Sequence, residues 1–270
     1  MNAISLSGVT VDVAGTRLLS DVDLEVAAGE WVGVVGPNGA GKTTMLRAIV
    51  GTVPASGEVR IDGRPASSLS PRERARLVAL VPQRPAVPPG MRVIDYALLG
   101  RTPHIGYLSS ESAADVEAAR AALASLDLVD LAHRRLDSLS GGEVQRAVVA
   151  RAVAQSAPIM VLDEPTTSLD VGHAQQVLDL VDGIRRGRRL TVVSALHDLT
   201  VAAQFCDRLV MVAAGRKVAD GPARIVLTPS AIRRHYGATV RVVDDEGGMV
   251  VIPIRDSRQS LEDGTIVTTS

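Results

Sequence analysis

Apolar and polar residues alternate from Ile4 to Val13 and again from Leu18 to Val26. Period-two alternation buries one face of a strand, so these stretches predict an antiparallel pair of half-buried strands, the second bent around a turn at Asp21. Trp31 to Val35 is instead a continuous apolar run, as expected of a strand buried on both faces. A helix-like segment, Met45 to Val50, follows, and Gly51 is its natural stop. Glu58 to Ile61 reads as a strand entering a tight turn at Asp62-Gly63. Ser70-Pro71-Arg72-Glu73 supplies an N-cap, a proline at the first helical position and a glutamate at the third, so a short helix starts there. It leads into the apolar strand Leu77 to Val81.

Pro85, Pro88, Pro89 and Gly90 then break the chain. From about 91 to 153 the pattern is helical, over Val93 to Leu99, Ser112 to Leu126 and Glu143 to Gln155. Strand-like runs return at Ile159 to Leu162, Leu190 to Leu196 and Leu209 to Val212, alternating with helical segments near 172–186 and 199–206. Continuous apolar strands alternating with helices imply a parallel sheet. The organisation expected is an α/β core, residues 1–83 and 154–242, interrupted by a helical subdomain, 84–153. An antiparallel β-subdomain stands at its start. A tail, 243–270, ends in polar residues, with short strands expected at Val240 to Val243 and Val250 to Ile254.

A chain of 270 residues, 46% hydrophobic and 22% charged, can bury a sizeable core. Its 29 basic and 30 acidic residues give a net charge of −1, without the basic excess of a nucleic-acid binder, so no nucleic-acid partner is expected. No apolar run approaches the ~20 residues that span a bilayer, and Met1 to Thr10 lacks the features of a signal peptide. The expected place of the chain is therefore the cytoplasm. Cys206 is the single cysteine, read as half-buried on a helix, so neither an internal disulfide nor a CxxC motif can form.

Chemistry concentrates first at Gly36-Pro37-Asn38-Gly39-Ala40-Gly41-Lys42-Thr43-Thr44, between a buried strand and a helix. This is the P-loop pattern G-x-x-x-x-G-K-[ST] in its required context. The glycines let backbone N–H groups converge on phosphate oxygens, and the helix dipole favours the same charges. Lys42 is expected to reach the β- and γ-phosphates of a nucleotide, Thr43 to hold Mg²⁺, and Thr44 to donate towards the α-phosphate. Lys42 and Lys217 are the only lysines, which lowers the odds of an accidental match.

Asp163-Glu164 follows a second buried strand. Beside a P-loop, Asp163 can hold Mg²⁺ and Glu164 can polarise the water that attacks the γ-phosphate. Leu139-Ser140-Gly141-Gly142-Glu143 opens a helix. Ser140 and Glu143 suit a capping box, which alone explains their identities. Gly141 and Gly142 also bare the helix N-terminus for an anion, a site redundant with the P-loop within one chain.

The P-loop, this pentapeptide, Asp163-Glu164, Gln83 after one strand and His197 after another resemble, in order, the motifs of ATP-binding cassette (ABC) ATPases. The resemblance runs to about residue 242. It implies a P-loop NTPase fold, ATP and Mg²⁺ as ligands, and a head-to-tail homodimer in which Ser140, Gly141 and Gly142 complete the partner's ATP site. It also implies that Gln83 reaches the metal and the attacking water, that His197 contacts the γ-phosphate, and that Ser168-Leu169-Asp170 joins the two sites. His104, His133, His173 and His235 share no metal-ligand spacing and are read as surface or packing residues. The family often stacks an aromatic on adenine near the end of the first strand. Here that region, Val11-Asp12-Val13, has none, so Val13 is expected to give apolar contact only.

A chain without a membrane span that resembles a transport ATPase implies separate membrane permease subunits and, indirectly, a substrate-binding protein. The expected location is the cytoplasmic face of the membrane. Leu98 to Gly106, the run Ala202 to Gly221 and the ending Tyr236-Gly237 resemble the importers of iron-siderophore, haem and cobalamin chelates. A free-metal importer, an exporter or a soluble ABC ATPase are the alternatives, and the last normally brings tandem cassettes, a long coiled coil or basic patches that this sequence lacks.

Overall fold

A computed structural model describes residues 2–167, 169–245 and 248–255. Its first two strands, β1 (Asn2–Val13) and β2 (Thr16–Ala27), pair antiparallel around a turn at Ala14-Gly15. Asp21 makes no turn. It takes a left-handed φ of 54° inside β2, where the register with β1 shifts, so the strand bulges and continues.

Strand β3 (Trp31–Val35) is buried along its whole length, and α1 (Lys42–Val50) follows, closed by Gly51 in the left-handed region. Strands β4 (Ser56–Ile61) and β5 (Arg64–Pro65) complete the N-terminal sheet in the order β2-β1-β4-β5. Helix α2 (Pro71–Leu77) begins at the expected capping box and leads into β6 (Val78–Val81).

Three helices come next: α3 (Val93–Leu98), α4 (Ala113–Ala124) and α5 (Gly141–Ala154). Among the described residues the only strand-like pairing between β6 and the next strand is one isolated bridge, Arg92 to Arg135. The segment after α3 is pinned to both sides. Gly100 lies so close to α5 that a Cβ there would fall far inside contact distance of the Arg151 carbonyl. Arg101 pairs with Asp115 at 3.0 Å and donates to the Ala154 carbonyl, while Arg72 and Arg76 of α2 both donate to the Pro103 carbonyl.

The remaining elements are β7 (Ile159–Asp163), α6 (Val171–Arg188), β8 (Thr191–Ala195), α7 (Leu199–Phe205), β9 (Arg208–Ala213), β10 (Arg216–Gly221), α8 (Ala223–Val226), α9 (Pro229–Tyr236), β11 (Val240–Asp245) and β12 (Gly248–Pro253). The second sheet has the order β10-β9-β3-β8-β7-β6 and is parallel except for the edge strand β10. Helix α1 fills the space between the two sheets: Met45, Leu46 and Ile49 share a core with Ile4 and Leu6 of β1 and with Val161 and Val193 of β7 and β8. The opposite face of the parallel sheet packs on α3 to α7 around Trp31, Val177, Leu178 and Met211. Burying such side chains contributes about 1.5–3 kcal/mol each before chain entropy is offset.

Cys206 departs from expectation. It is buried, not half-buried, and follows α7 in extended conformation, with its sulfur 3.9 Å from the Ser194 hydroxyl. Burial pushes its thiol up to about 12, so it behaves as a small core residue. The antiparallel hairpin β11–β12 starts at Val240, so its first strand runs across residue 242. Ser168 and the polar residues 256–270 lie outside the described residues.

Candidate functional site

The carboxyl ends of β3, β7 and β8 point towards one edge of the parallel sheet, where an α/β fold places its ligands. From β3 the chain enters residues 36–41. Gly36 is pressed onto β9 closely enough that a Cβ would overlap the Val212 carbonyl, and Gly41 has φ 107° with the Leu18 carbonyl 2.8 Å from where its Cβ would stand. No side chain caps α1, so its first N–H groups stay available. Lys42 is buried and folds back, its Nζ donating to the Gly36 carbonyl at 2.8 Å and to Pro37 at 3.2 Å. Burial pushes its ammonium below the ordinary value, opposed by the charges of Glu164 and Asp163.

Asp163 closes β7 and is buried. Its carboxyl is raised by that burial, while the hydrogen bond from Thr43, 2.9 Å long, acts the other way. Glu164 is also buried and has a left-handed φ of 52°, an uncommon conformation for a non-glycine residue at a cost of about 1–2 kcal/mol. Its N–H donates to the Ala195 carbonyl at 3.1 Å, which anchors the turn to β8. Three side chains converge on its carboxylate. Gln83, two residues past β6, donates through Nε2; His197, past the end of β8, approaches through its own Nε2; and Thr167 donates at 3.3 Å. The identity of Thr167 was not anticipated, though its place three residues after Glu164 was available as a signal.

Leu18, residues 38–44, Gln83, Glu164 and His197 line one open cavity of roughly 390 Å³, while Asp163 and Thr167 are not part of its lining. A phosphate-binding loop, a buried lysine and a carboxylate framed by hydrogen-bonding side chains can bind a polyphosphate and activate a water beside it.

A model of the family described as ABC transporter matches residues 19–167. The chain belongs to the ABC transporter family. It is 41% identical over 266 residues to a cobalamin import ATP-binding protein of Halobacterium salinarum, covering 97% of this chain and 66% of that one, so it spans just under two thirds of that relative's length. It is 43% identical over 244 residues to a hemin import ATP-binding protein of Nocardia farcinica, covering 89% of this chain and 83% of the relative. Among solved structures, a metal-chelate type ABC transporter in an inward-facing conformation matches its fold with a TM-score of 0.82 at 24% identity, covering 95% of this chain and 99% of that one.

Within this ABC fold Ser140, Gly141 and Gly142 do not line the cavity. Ser140 caps α5 in a full capping box with Glu143, whose carboxyl is held below the ordinary range by the Ser140 N–H and hydroxyl. Gly141 is exposed, whereas Gly142 is covered by the ring of His173 from α6. Asp170 caps α6 and accepts from the His173 N–H, with the His173 ring Nδ1 2.8 Å from its second oxygen. Val13 lies apart from the cavity lining, 43% exposed at the end of β1. His104 packs by a 2.8 Å hydrogen-bonding contact with the Gln155 carbonyl.

Proposed function

We propose that this chain is the ATP-binding and ATP-hydrolysing subunit of an importer of metal chelates. The observation that carries the reading is the convergence of Gln83, His197 and Thr167 on the buried Glu164, beside the Thr43–Asp163 pair and Lys42.

Residues 36–44 cradle the phosphates with backbone N–H groups, and Lys42 leaves its loop carbonyls for the β- and γ-phosphates. Glu164 polarises the attacking water. His197 contacts the γ-phosphate, and Gln83 contacts the water. The donor set of hydroxyl, carboxylate and amide oxygen at Thr43, Asp163 and Gln83 suits a hard cation, and Asp163 is a buried carboxylate whose hydrogen-bond partner is the Thr43 hydroxyl. Mg²⁺ held there would neutralise charge on the β- and γ-oxygens.

Ser140, Gly141 and Gly142 stand away from the cavity of their own chain, which supports a head-to-tail homodimer in which they meet the partner's ATP. Among the described residues no helix is long and apolar enough to cross a membrane, so transport calls for separate permease subunits and a peripheral position at the cytoplasmic face. A groove of roughly 500 Å³ between the core and α5, lined by Leu69, Pro71, Leu80, Pro82, Arg151 and Gln155, suits their docking. The names of the relatives support a haem, cobalamin or siderophore chelate as the cargo class, and its delivery by a binding protein is part of the proposal.

The test is reconstitution in liposomes with the cognate permease and binding protein, offering each chelate in turn. Uptake of one chelate that is lost with Glu164→Gln supports the reading. A fully assembled complex that hydrolyses ATP and moves none of them overturns the cargo, in favour of free-metal import or export.

A further inference from the structure

Helices α5 and α6 meet at their first turns. Ser140 caps α5, and the first N–H groups of that helix, those of Gly141 and Gly142 among them, have no carbonyl one turn earlier to receive them. Asp170 caps α6, whose third residue is His173. A Cβ at Gly142 would stand 2.7 Å from Cδ2 of the His173 ring, 3.1 Å from Cγ and 3.4 Å from Nε2, so the ring edge fills the space a side chain would take. Gly142 is buried. Gly141 is exposed, and a Cβ there would meet nothing within 4 Å, so only one of the two glycines is engaged.

The ring is held from its other side. One oxygen of Asp170 accepts from the His173 N–H at 2.8 Å, and the second lies 2.8 Å from the ring Nδ1. The Asp170 carboxyl is held below the ordinary range, first by the His173 N–H and then by the ring, so at neutral pH it is a carboxylate and only accepts. Nδ1 therefore carries a hydrogen, and the Cδ2–Nε2 edge is the one turned to Gly142. The His173 side chain is 51% exposed, so burial of apolar surface does not account for its place. Its two contacts do.

We propose that His173 is a positioning residue for the N-terminus of α5: gripped by Asp170, its ring sets Gly142 and with it the direction of the groups that Ser140, Gly141 and Gly142 offer to the ATP of a partner chain. His173 does not line the cavity of its own chain. The dimer half of the proposal rests on the head-to-tail reading above. The contact itself does not.

The test uses the full chain. His173→Asn keeps a donor for Asp170 and removes the edge over Gly142, whereas Asp170→Ser keeps a cap oxygen and releases the ring. In amide hydrogen exchange without nucleotide, both should exchange about three- to tenfold faster over residues 141–145, with residues 36–44 unchanged. Gly142→Ala should lower the urea midpoint of the parent clearly and that of His173→Ala hardly at all, because the added methyl group meets the ring only where the ring is present. In a Glu164→Gln background, His173→Asn and Asp170→Ser should weaken ATP-driven dimerisation about three- to tenfold, while the ATP affinity of the dilute single chain stays parental because the P-loop is untouched. A merely structural role would lower the midpoint without this split.

Parental exchange in both variants, or equal midpoint losses from Gly142→Ala in the two backgrounds, overturns the contact. Faster exchange with parental dimerisation overturns the positioning role and leaves His173 as a packing residue. If the Glu164→Gln chain with His173 intact forms no ATP-bound dimer, the head-to-tail reading falls and the dimer half falls with it, while exchange and the midpoints still decide the contact.

Discussion

The Thr43 hydroxyl donates to Asp163 at 2.9 Å, tying the first turn of α1 to the last residue of β7 across 120 positions of sequence. Burial raises the Asp163 carboxyl above its ordinary value. A carboxyl raised in the folded state stabilises the fold when protonated, and that contribution is lost as pH rises through the folded value. At neutral pH the ionised Asp163 thus costs stability in return for function.

Asp163→Asn should therefore unfold at a higher temperature than the parent at pH 7 without nucleotide, while its Mg²⁺-dependent turnover falls about 10²-fold or more. Thermal unfolding and turnover on the same preparation check both. A lower unfolding temperature with intact turnover would assign Asp163 to structure.

Gly100 faces the backbone of α5 with no room for a methyl group before the Arg151 carbonyl. Backbone against backbone cannot yield as a flexible side chain can, so Gly100→Ala should destabilise the chain by about 1–3 kcal/mol. Urea unfolding measures it. A change within about 0.5 kcal/mol would mean that the segment after α3 shifts freely.

Asp115 completes the capping box begun by Ser112 and is held at about 2 by the Ser112 hydroxyl first, then by the Ser112 N–H and Arg101. Its ordinary value is 3.8, so this contribution is fully present above that value and lost as pH falls through about 2. Asp115→Asn should unfold below the parent at pH 7, with the gap narrowing from about pH 4 downwards. A gap constant with pH would mean that Asp115 contributes through packing rather than charge.

Among the described residues no Phe, Tyr or Trp lines the cavity, and Val13 stands beside the exposed Asp12–Arg17 pair. Stacking by such a ring is then not expected from this side of the site, and the phosphates should carry recognition. The kcat/KM values for ATP and GTP should agree within about tenfold, since stacking by an aromatic is worth about 1–3 kcal/mol where present. A preference for ATP above a hundredfold would reveal a base contact made elsewhere, for instance by a partner chain.

Much of this architecture was legible because its signals are local. The capping boxes at Ser70 and Ser140 each set a helix start within four residues, and the continuous apolar runs at 31–35 and 159–162 mark the central strands. The P-loop, Asp163 and Glu164 follow those runs directly, so their place at one sheet edge followed from the pattern. What stayed hidden depends on distant contacts. Asp21 looked like a turn because its left-handed backbone is stabilised inside a bulge by the Thr10 hydroxyl on the facing strand. Strand β10 is short, polar on one face and set in the sheet by its antiparallel pairing with β9. Thr167 on Glu164 and His173 on Gly142 are contacts that no periodicity in the sequence marks.

The most direct test of the account is ATP binding and turnover by Glu164→Gln beside the parent. The side chain keeps its shape and loses its charge, so ATP should bind with near-parental affinity and accumulate in a dimer. Turnover should fall about 10²- to 10⁴-fold, the scale of a positioned base. Turnover within a few-fold of the parent would contradict it, and Gln83, His197 and Thr167 would then surround a structural carboxylate.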